Sequence, residues 1–177
     1  MRKLVLAFSA MLVTIALKAQ ENYDEVTLNV KLSPIQTLVV NQNQKTVNLE
    51  YDSKEDYENG VSETKQDHLT VYSTGGYQVK VKSSGSQLIG TSKNLDASTV
   101  KIVASAGSNP ANEAQYASSQ SLSADDKVIV SSSTGGVDKN FNVTYVGAGA
   151  DAYLNYYVAG QTPTVYTTSV TYTIVAQ

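Results

Sequence analysis

Residues 166–176, YTTSVTYTIVA, decide the fold class. Alternate positions of this stretch share one face of an extended chain: Tyr166, Thr168, Val170, Tyr172, Ile174 and Ala176. Period-two alternation in β-branched and aromatic residues is typical of a strand, and the stretch contains no run of helix formers. We therefore predict a long strand here that completes a sheet.

The same alternation recurs along the chain in short segments separated by turn residues. Strands are predicted at residues 26–32, 47–51, 69–71, 77–81, 100–103, 128–130, 141–145 and 153–158, with room for a short helix at 111–121. About nine short strands without an alternating helical pattern favour an antiparallel sandwich over a parallel sheet. The predicted fold is an all-β, immunoglobulin-like antiparallel β-sandwich in a single domain, residues 20–177.

The predicted core takes one face of each strand, since the other face of a sandwich sheet meets water. Its members are Val26, Leu28, Val30, Leu49, Leu69, Val71, Val79, Val81, Ile102, Val128, Val130, Val143, Val170, Tyr172 and Ile174. Two Ser-Thr-Gly-Gly sequences, 73–76 and 133–136, predict tight turns. We expect the first to be a hairpin with positive φ at its glycines.

The first nineteen residues have the pattern of a secretory signal peptide. Arg2 and Lys3 precede an apolar run, residues 4–17, and a small residue, Ala19, comes before the polar sequence ENYDE. The run is short for a bilayer span, which needs about 20 apolar residues. We predict export with cleavage after Ala19, and location at the cell surface, in the periplasm or outside the cell.

The charge and the cysteine content of the chain restrict the partners that it can bind. Without the three basic residues of the signal peptide, the chain has 10 Lys and Arg (13 minus 3) against 16 Asp and Glu, a net charge of −6. A mildly acidic chain argues against nucleic acid or anionic lipid as partner, because both require a basic surface. There is no cysteine, so disulfides and thiolate metal sites are excluded.

No residue pattern predicts catalysis or a bound cofactor. His68 is the only histidine, no Gly-x-Ser-x-Gly sequence accompanies it, and we interpret it as an edge residue in contact with solvent. Asp52, Glu55, Asp56 and Glu58 are weak calcium candidates, although their spacing is not that of an EF-hand loop. No pair of carboxylates stands out as a glycosidase pair. We predict a protein that is not an enzyme.

Tyrosine is abundant, with 12 residues. Tyr153, Tyr156 and Tyr157 lie close together and are candidate ligand-binding rings, since tyrosine can stack on a sugar and offer a hydroxyl. The alternative is that tyrosine is used here as a good strand residue with a half-buried ring.

Residues 69–102 and the C-terminal strand together resemble the WxL domain of bacterial cell-wall proteins. Tyr77-Gln78-Val79 and Tyr172-Thr173-Ile174 occupy the places of the two Trp-x-Leu motifs, with Tyr in place of Trp and without Leu. The resemblance implies a β-sandwich that associates non-covalently with the cell surface or peptidoglycan.

The exported, Thr-, Ser- and Gly-rich chain is also similar to subunits of bacterial surface fibres, such as pilins and spore-coat-U-like proteins. That resemblance implies assembly by donor strands, in which one subunit adds a strand to a neighbour's sheet edge. Residues 26–32 are the donor candidate.

The sequence thus predicts a structural or adhesive surface protein, acting on a cell-surface polymer or another surface protein. A fibre subunit that self-associates through a sheet edge is one alternative. A peptidoglycan- or carbohydrate-binding module is the other.

Overall fold

A computed structural model describes residues 22–177. The chain divides into two units, Met1–Leu32 and Ser33–Gln177. Residues 22–32 of the first unit contain no helix and no strand, and the second unit contains all the strands. The predicted signal peptide, residues 1–19, lies outside the described residues.

The second unit is an antiparallel β-sandwich. Its strands are β1 (Gln36–Val40), β2 (Ser62–Ser73), β3 (Tyr77–Ser83), β4 (Gln87–Ile89), β5 (Asn94–Asp96), β6 (Lys101–Ala106), β7 (Ala114–Tyr116), β8 (Gln120–Ser121), β9 (Lys127–Ser132), β10 (Gly136–Val146) and β11 (Val170–Ala176), with one helix, α1 (Lys54–Asn59). One sheet has the order β1-β2-β10-β6-β8 and the other β11-β3-β9-β7, while β4 and β5 form a small separate sheet. The all-β antiparallel fold is confirmed, with eleven strands in the described residues.

The core lies between the two larger sheets. Residues predicted for it that are buried are Leu69, Val71, Val79, Val81, Ile102, Val130 and Val143. Leu49, Val170, Tyr172 and Ile174 are partly buried and pack against this cluster. Tyr77, Phe141 and Tyr145 are also buried, on the same faces as Val79 and Val143, although the predicted core did not include them. Leu122 and Ile129 are buried as well. Alternate inward side chains from both sheets therefore build the interior, as in sandwiches generally.

Several predicted strands are wrong. Residues 26–32, 47–51 and 153–158 form no strand, and the final strand begins only at Val170. Val26, Leu28 and Val30 are exposed instead of buried. Residues 153–155 belong to a turn in which Asn155 has φ 67°, a left-handed backbone conformation that interrupts an extended strand.

Residues 111–121, which offered room for a short helix, contain β7 and β8 instead. Residues 52–67, for which no strand was predicted, contain α1 and the first part of β2. In α1 a capping box explains the local helix: the Ser53 hydroxyl accepts the Asp56 N–H, and the Asp56 carboxylate accepts the Ser53 N–H.

The two Ser-Thr-Gly-Gly turns connect the sheets instead of forming hairpins. The first joins β2 to β3 and the second joins β9 to β10, and in each case the two strands belong to different sheets. The expected positive φ is absent, because among the described glycines only Gly60 and Gly160 have it. The second turn packs against the first, so that a Cβ on Gly135 would lie 2.3 Å from the Ser73 carbonyl oxygen.

Candidate functional site: a free strand edge and an exposed apolar segment

The acidic residues proposed for calcium lie in and before α1. The Asp56 carboxylate is engaged in capping the helix: its Oδ2 accepts N–H groups from Ser53 at 2.8 Å and Asp52 at 3.0 Å. Hydrogen bonds with Ser53, then with Asp52, lower the pKa of Asp56. Glu55 and Glu58 lie on the same helix. Among residues 22–177 no three His, Cys, Asp or Glu side chains group closely enough to hold a metal ion.

The three candidate tyrosines have different surroundings. Tyr153 packs edge-on against Tyr51, with ring centroids 5.0 Å apart, and donates its hydroxyl to Thr99 Oγ1 at 2.8 Å. The ring of Tyr156 packs against Tyr166 at 6.1 Å. Tyr157 is 60% exposed. Two of the rings are therefore used within the protein, and sugar binding by this group stays a prediction.

The two motif-like segments lie on neighbouring strands. In the antiparallel pairing of β11 with β3, Ile174 is opposite Val79 and Ala176 is opposite Tyr77. Tyr77 and Val79 are fully buried, and Tyr172 and Ile174 pack against the same core. All four side chains therefore contribute to one part of the interior.

His68 lies in the interior and is 2% exposed, so its interpretation as a solvent-contacting edge residue is wrong. Strict alternation would place it on the face opposite Leu69, yet both are buried. The cause is an irregularity in the pairing of β2 with β10, between Phe141 and Val143, next to Asp67 with φ 48°. A bulge of this kind re-aims one side chain, and the sequence carried no signal for it.

A hydrogen-bonded network surrounds His68. Gln44 donates its side-chain N–H to the Gln66 carbonyl oxygen, which leaves Gln44 Oε1 to accept from His68 Nδ1 at 3.0 Å. His68 Nε2 then accepts from the Tyr145 hydroxyl at 3.0 Å. The Tyr145 and Tyr172 hydroxyl oxygens are 2.6 Å apart, so the network reaches from β2 and β10 in one sheet to β11 in the other.

Burial sets the charge states in this network. Burial, followed by the positive charge of Lys65, lowers the pKa of His68. Burial is also the main reason why the pKa of Tyr145 is raised and that of Tyr172 is raised further. Neutral groups at ordinary pH form a chain of hydrogen bonds here, and such a chain holds β11 to the opposite sheet.

β11 is the longest strand at any end of the two large sheets. It has seven residues, whereas β1 has five, β7 three and β8 two. β3 pairs with it on one side, and no strand of residues 22–177 pairs with it on the other. Its sequence, VTYTIVA, has no charged residue and no proline, and its pairing with β3 is regular. Charges, prolines and bulges are the usual protections of an edge strand, and β11 has none of them.

The free edge of β11 presents the backbone groups of its even-numbered residues. Gln177 donates its N–H to the Gly76 carbonyl, and Ser84 donates its N–H to the Ser169 carbonyl, so the odd-numbered residues face β3. Because backbone groups alternate sides in an antiparallel ladder, the N–H and C=O groups of the even-numbered residues point outward. These residues are Val170, Tyr172, Ile174 and Ala176.

The residues that offer outward backbone groups are also those that face the core. Val170, Tyr172 and Ile174 are partly buried against the interior cluster. Directly opposed residues on neighbouring strands place their side chains on the same face. A strand added at this edge would therefore extend the core with every second side chain.

Residues 26–32 have the chemistry of such a strand. Val26, Leu28, Val30 and Leu32 are 92%, 85%, 76% and 89% exposed. The residues between them are Thr27, Asn29 and Lys31. Exposed apolar residues in a regular row, unlike scattered ones, indicate a surface that binds a partner.

The chain matches no family model and no curated protein. In the described part of the chain no helix is long and apolar enough to cross a membrane.

Proposed function

We propose that this is a non-catalytic, exported structural protein of the bacterial surface, and that its copies associate by strand addition. The observation that carries the proposal is the row of exposed apolar side chains in residues 26–32. The segment has the alternation of a half-buried strand but has no strand partner among the described residues. Strand addition to an exposed sheet edge gives such a segment a partner.

The energetics of the segment support association by both apolar burial and backbone bonding. Burying a Val or Leu side chain contributes about 1.5–3 kcal/mol, so four contribute roughly 6–12 kcal/mol. Association costs about 4–15 kcal/mol in lost freedom, before the segment itself is ordered. Apolar burial alone therefore roughly offsets the cost, and ladder hydrogen bonds, at about 0.5–1.5 kcal/mol each, supply the remaining stability.

Charge supports the same role. The chain after Ala19 has a net charge of −6, from 10 basic and 16 acidic residues, which keeps separate copies soluble. Residues 26–32 contain one charge, Lys31, and β11 contains none. The two segments can therefore approach one another without burying an unpaired acidic group.

A pair of variants tests the proposal. The full chain is expressed in a bacterium that exports it, and intact mass is measured to locate the N-terminus, which we expect at Gln20. Leu28→Asp places a charge on the apolar face of the segment, whereas Asn29→Asp adds the same charge one residue later on the polar face. We expect native protein and Asn29→Asp to associate as concentration rises. Leu28→Asp should associate at least about tenfold more weakly.

Light scattering after size-exclusion chromatography measures the association, and electron microscopy shows whether assemblies are fibres. Equal association of the native protein and Leu28→Asp would show that residues 26–32 take no part in the association. A protein that remains monomeric at all concentrations would contradict assembly by strand addition altogether.

A further inference from the structure

We propose that the acceptor is the free edge of β11 in a second copy of this chain, and that residues 26–32 add to it in the antiparallel direction. The inference rests on the proposed function and names the partner surface that strand addition uses. β11 has the length of the segment, since each has seven residues. β1 and β7 are shorter, and β8 has only two residues.

The outward backbone groups of β11 take part in no ladder among the described residues. β1 lies alongside β11 at the same margin of the sandwich, but no ladder joins them. The outward groups of Val170, Tyr172, Ile174 and Ala176 have no strand partner in residues 22–177. Addition of a strand to β11 therefore breaks no hydrogen bond of the β-ladders.

In an antiparallel arrangement, the apolar residues of segment 26–32 lie opposite the core-facing residues of β11 over the whole length of both. With Asn29 opposite Thr173, the four apolar residues of the segment lie opposite the even-numbered residues of β11: Val26 with Ala176, Leu28 with Ile174, Val30 with Tyr172, and Leu32 with Val170. Opposed side chains share a face, so all four point to the core side. Thr27, Asn29 and Lys31 then face solvent beside the odd-numbered residues. A shift by one residue would turn every apolar side chain outward.

Chain direction separates a second copy from the chain's own segment. Gln36, at the start of β1, donates its side-chain N–H to the Gly76 carbonyl, and Ala176, at the end of β11, is opposite Tyr77. The start of β1 and the end of β11 therefore lie at the same end of the sandwich. Only residues 33–35 separate Leu32 from β1. A chain that folded its own segment back onto its own β11 would thus run parallel to it.

The two directions place Lys31 at different residues of β11. Antiparallel addition places it opposite Thr171, and parallel addition places it near Val175. All ladders described in this protein are antiparallel, and antiparallel pairing is slightly more stable per residue. We therefore assign the site to a second copy.

Disulfide trapping tests the assignment, and the absence of cysteine makes the chain suitable for it. Full-length Lys31→Cys protein is mixed with Thr171→Cys protein and oxidised mildly. Odd-numbered residues of β11 would form the non-hydrogen-bonded pairs, whose Cα atoms lie about 4.5 Å apart, within the range that a disulfide spans. The matched control is a mixture of Lys31→Cys with Val175→Cys.

We expect at least about tenfold more disulfide-linked heterodimer with Thr171→Cys than with Val175→Cys. Equal yields, or a higher yield with Val175→Cys, would overturn the antiparallel two-copy assignment. An intrachain disulfide in a Lys31→Cys/Val175→Cys double variant would show that the segment pairs with its own chain. Loss of association in Leu28→Asp without trapping at Thr171 would reject this acceptor edge and leave the proposed function standing. Absence of any association would reject both.

Discussion

At the scale of single residues, His68 shows how a polar group is accommodated in this core. Burying a polar group without a partner is costly, and here each ring nitrogen has one. Gln44 is held in position by Gln66, and Tyr145 by Tyr172. A protonated ring would donate from both nitrogens, so the Tyr145 hydroxyl would have to turn, accept from Nε2 and donate to the Tyr172 hydroxyl oxygen instead. Protonation therefore forces the network to rearrange and also places a charge in the interior.

The folded protein should lose stability in mild acid because of His68. Its pKa is lowered on folding, from an ordinary value of 6.5, by burial first and by Lys65 second. As the pH falls below 6.5, the unfolded chain takes up a proton that the folded chain does not, so the free energy of unfolding decreases until the lowered pKa is reached. The slope for one proton is at most about 1.4 kcal/mol per pH unit. Urea unfolding monitored by circular dichroism at several pH values between 8 and 5 measures this slope.

A substitution isolates this contribution. His68→Gln removes the titrating group, so its stability, lower throughout, should change less between pH 8 and pH 5 than that of the native protein. Asp56, Asp67 and Asp96 also have lowered pKa values, but from an ordinary value of 3.8, so they act at more acidic pH. Equal slopes in the native and His68→Gln proteins would contradict the assignment of the acid sensitivity to His68.

At the scale of elements, alternation predicted strands well where the chain supplies a partner. The strands that contain Leu69 and Phe141 pair with each other in one sheet, and those that contain Tyr77 and Val130 pair with each other in the other sheet. Residues 26–32 have an equally clear pattern and form no strand. Alternation describes which face of a segment can be buried, and pairing depends on an edge that lies elsewhere in the sequence or in another molecule.

Only one of the two parts of the candidate site could be predicted from the sequence. The segment 26–32 could be proposed as a strand donor from its residues alone. The free edge of β11 could not be predicted from the sequence. The strand order of the sheet decides which side of the strand is unpaired, and the local pattern around Tyr172 and Ile174 does not. The network around His68 was hidden for a related reason, since a bulge in β2 changes which side chains face inward.

The two Ser-Thr-Gly-Gly turns have the same sequence but different surroundings. The same glycine-to-alanine substitution should therefore have different effects on stability in the two turns. A Cβ on Gly135 would lie 2.3 Å from the Ser73 carbonyl oxygen and 2.9 Å from the Gly75 nitrogen, whereas a Cβ on Gly75 would meet nothing within 4 Å. Gly135→Ala should therefore destabilise the fold by about 1–3 kcal/mol, because two backbones must separate. Gly75→Ala should change stability by no more than about 0.5 kcal/mol.

Urea unfolding of the two variants beside the native protein measures the difference. Neither glycine has positive φ, so the comparison isolates the steric contact between the turns from backbone strain. If Gly75→Ala proved as damaging as Gly135→Ala, close packing of the turns would not be the reason for the second glycine.

At the scale of the whole molecule, strand addition would join the sandwich of one copy to the segment that precedes the sandwich in another. The sandwich ends on one side at an uncharged seven-residue strand, and the chain also contains a seven-residue apolar segment without a partner among the described residues. A ligand that binds only the folded state stabilises it by an amount that grows with the logarithm of the ligand concentration relative to Kd. A free peptide should therefore stabilise a sandwich whose own segment has been disabled.

The full chain with Leu28→Asp and Val30→Asp is mixed with a synthetic peptide of residues 25–33 to measure this stabilisation. A peptide at about a hundred times its Kd should add about 2.7 kcal/mol to the free energy of unfolding. For a protein of this size each kcal/mol raises the Tm by about 2–4 °C, so the Tm should rise by roughly 5–11 °C. A peptide carrying Leu28→Asp has the same length and backbone but a charge on the apolar face, and it should leave the Tm unchanged. Differential scanning fluorimetry with peptide up to about 1 mM, a range that covers weak binding, decides the outcome. No shift, or equal shifts with both peptides, would mean that the sandwich has no edge that recognises the apolar row of residues 26–32.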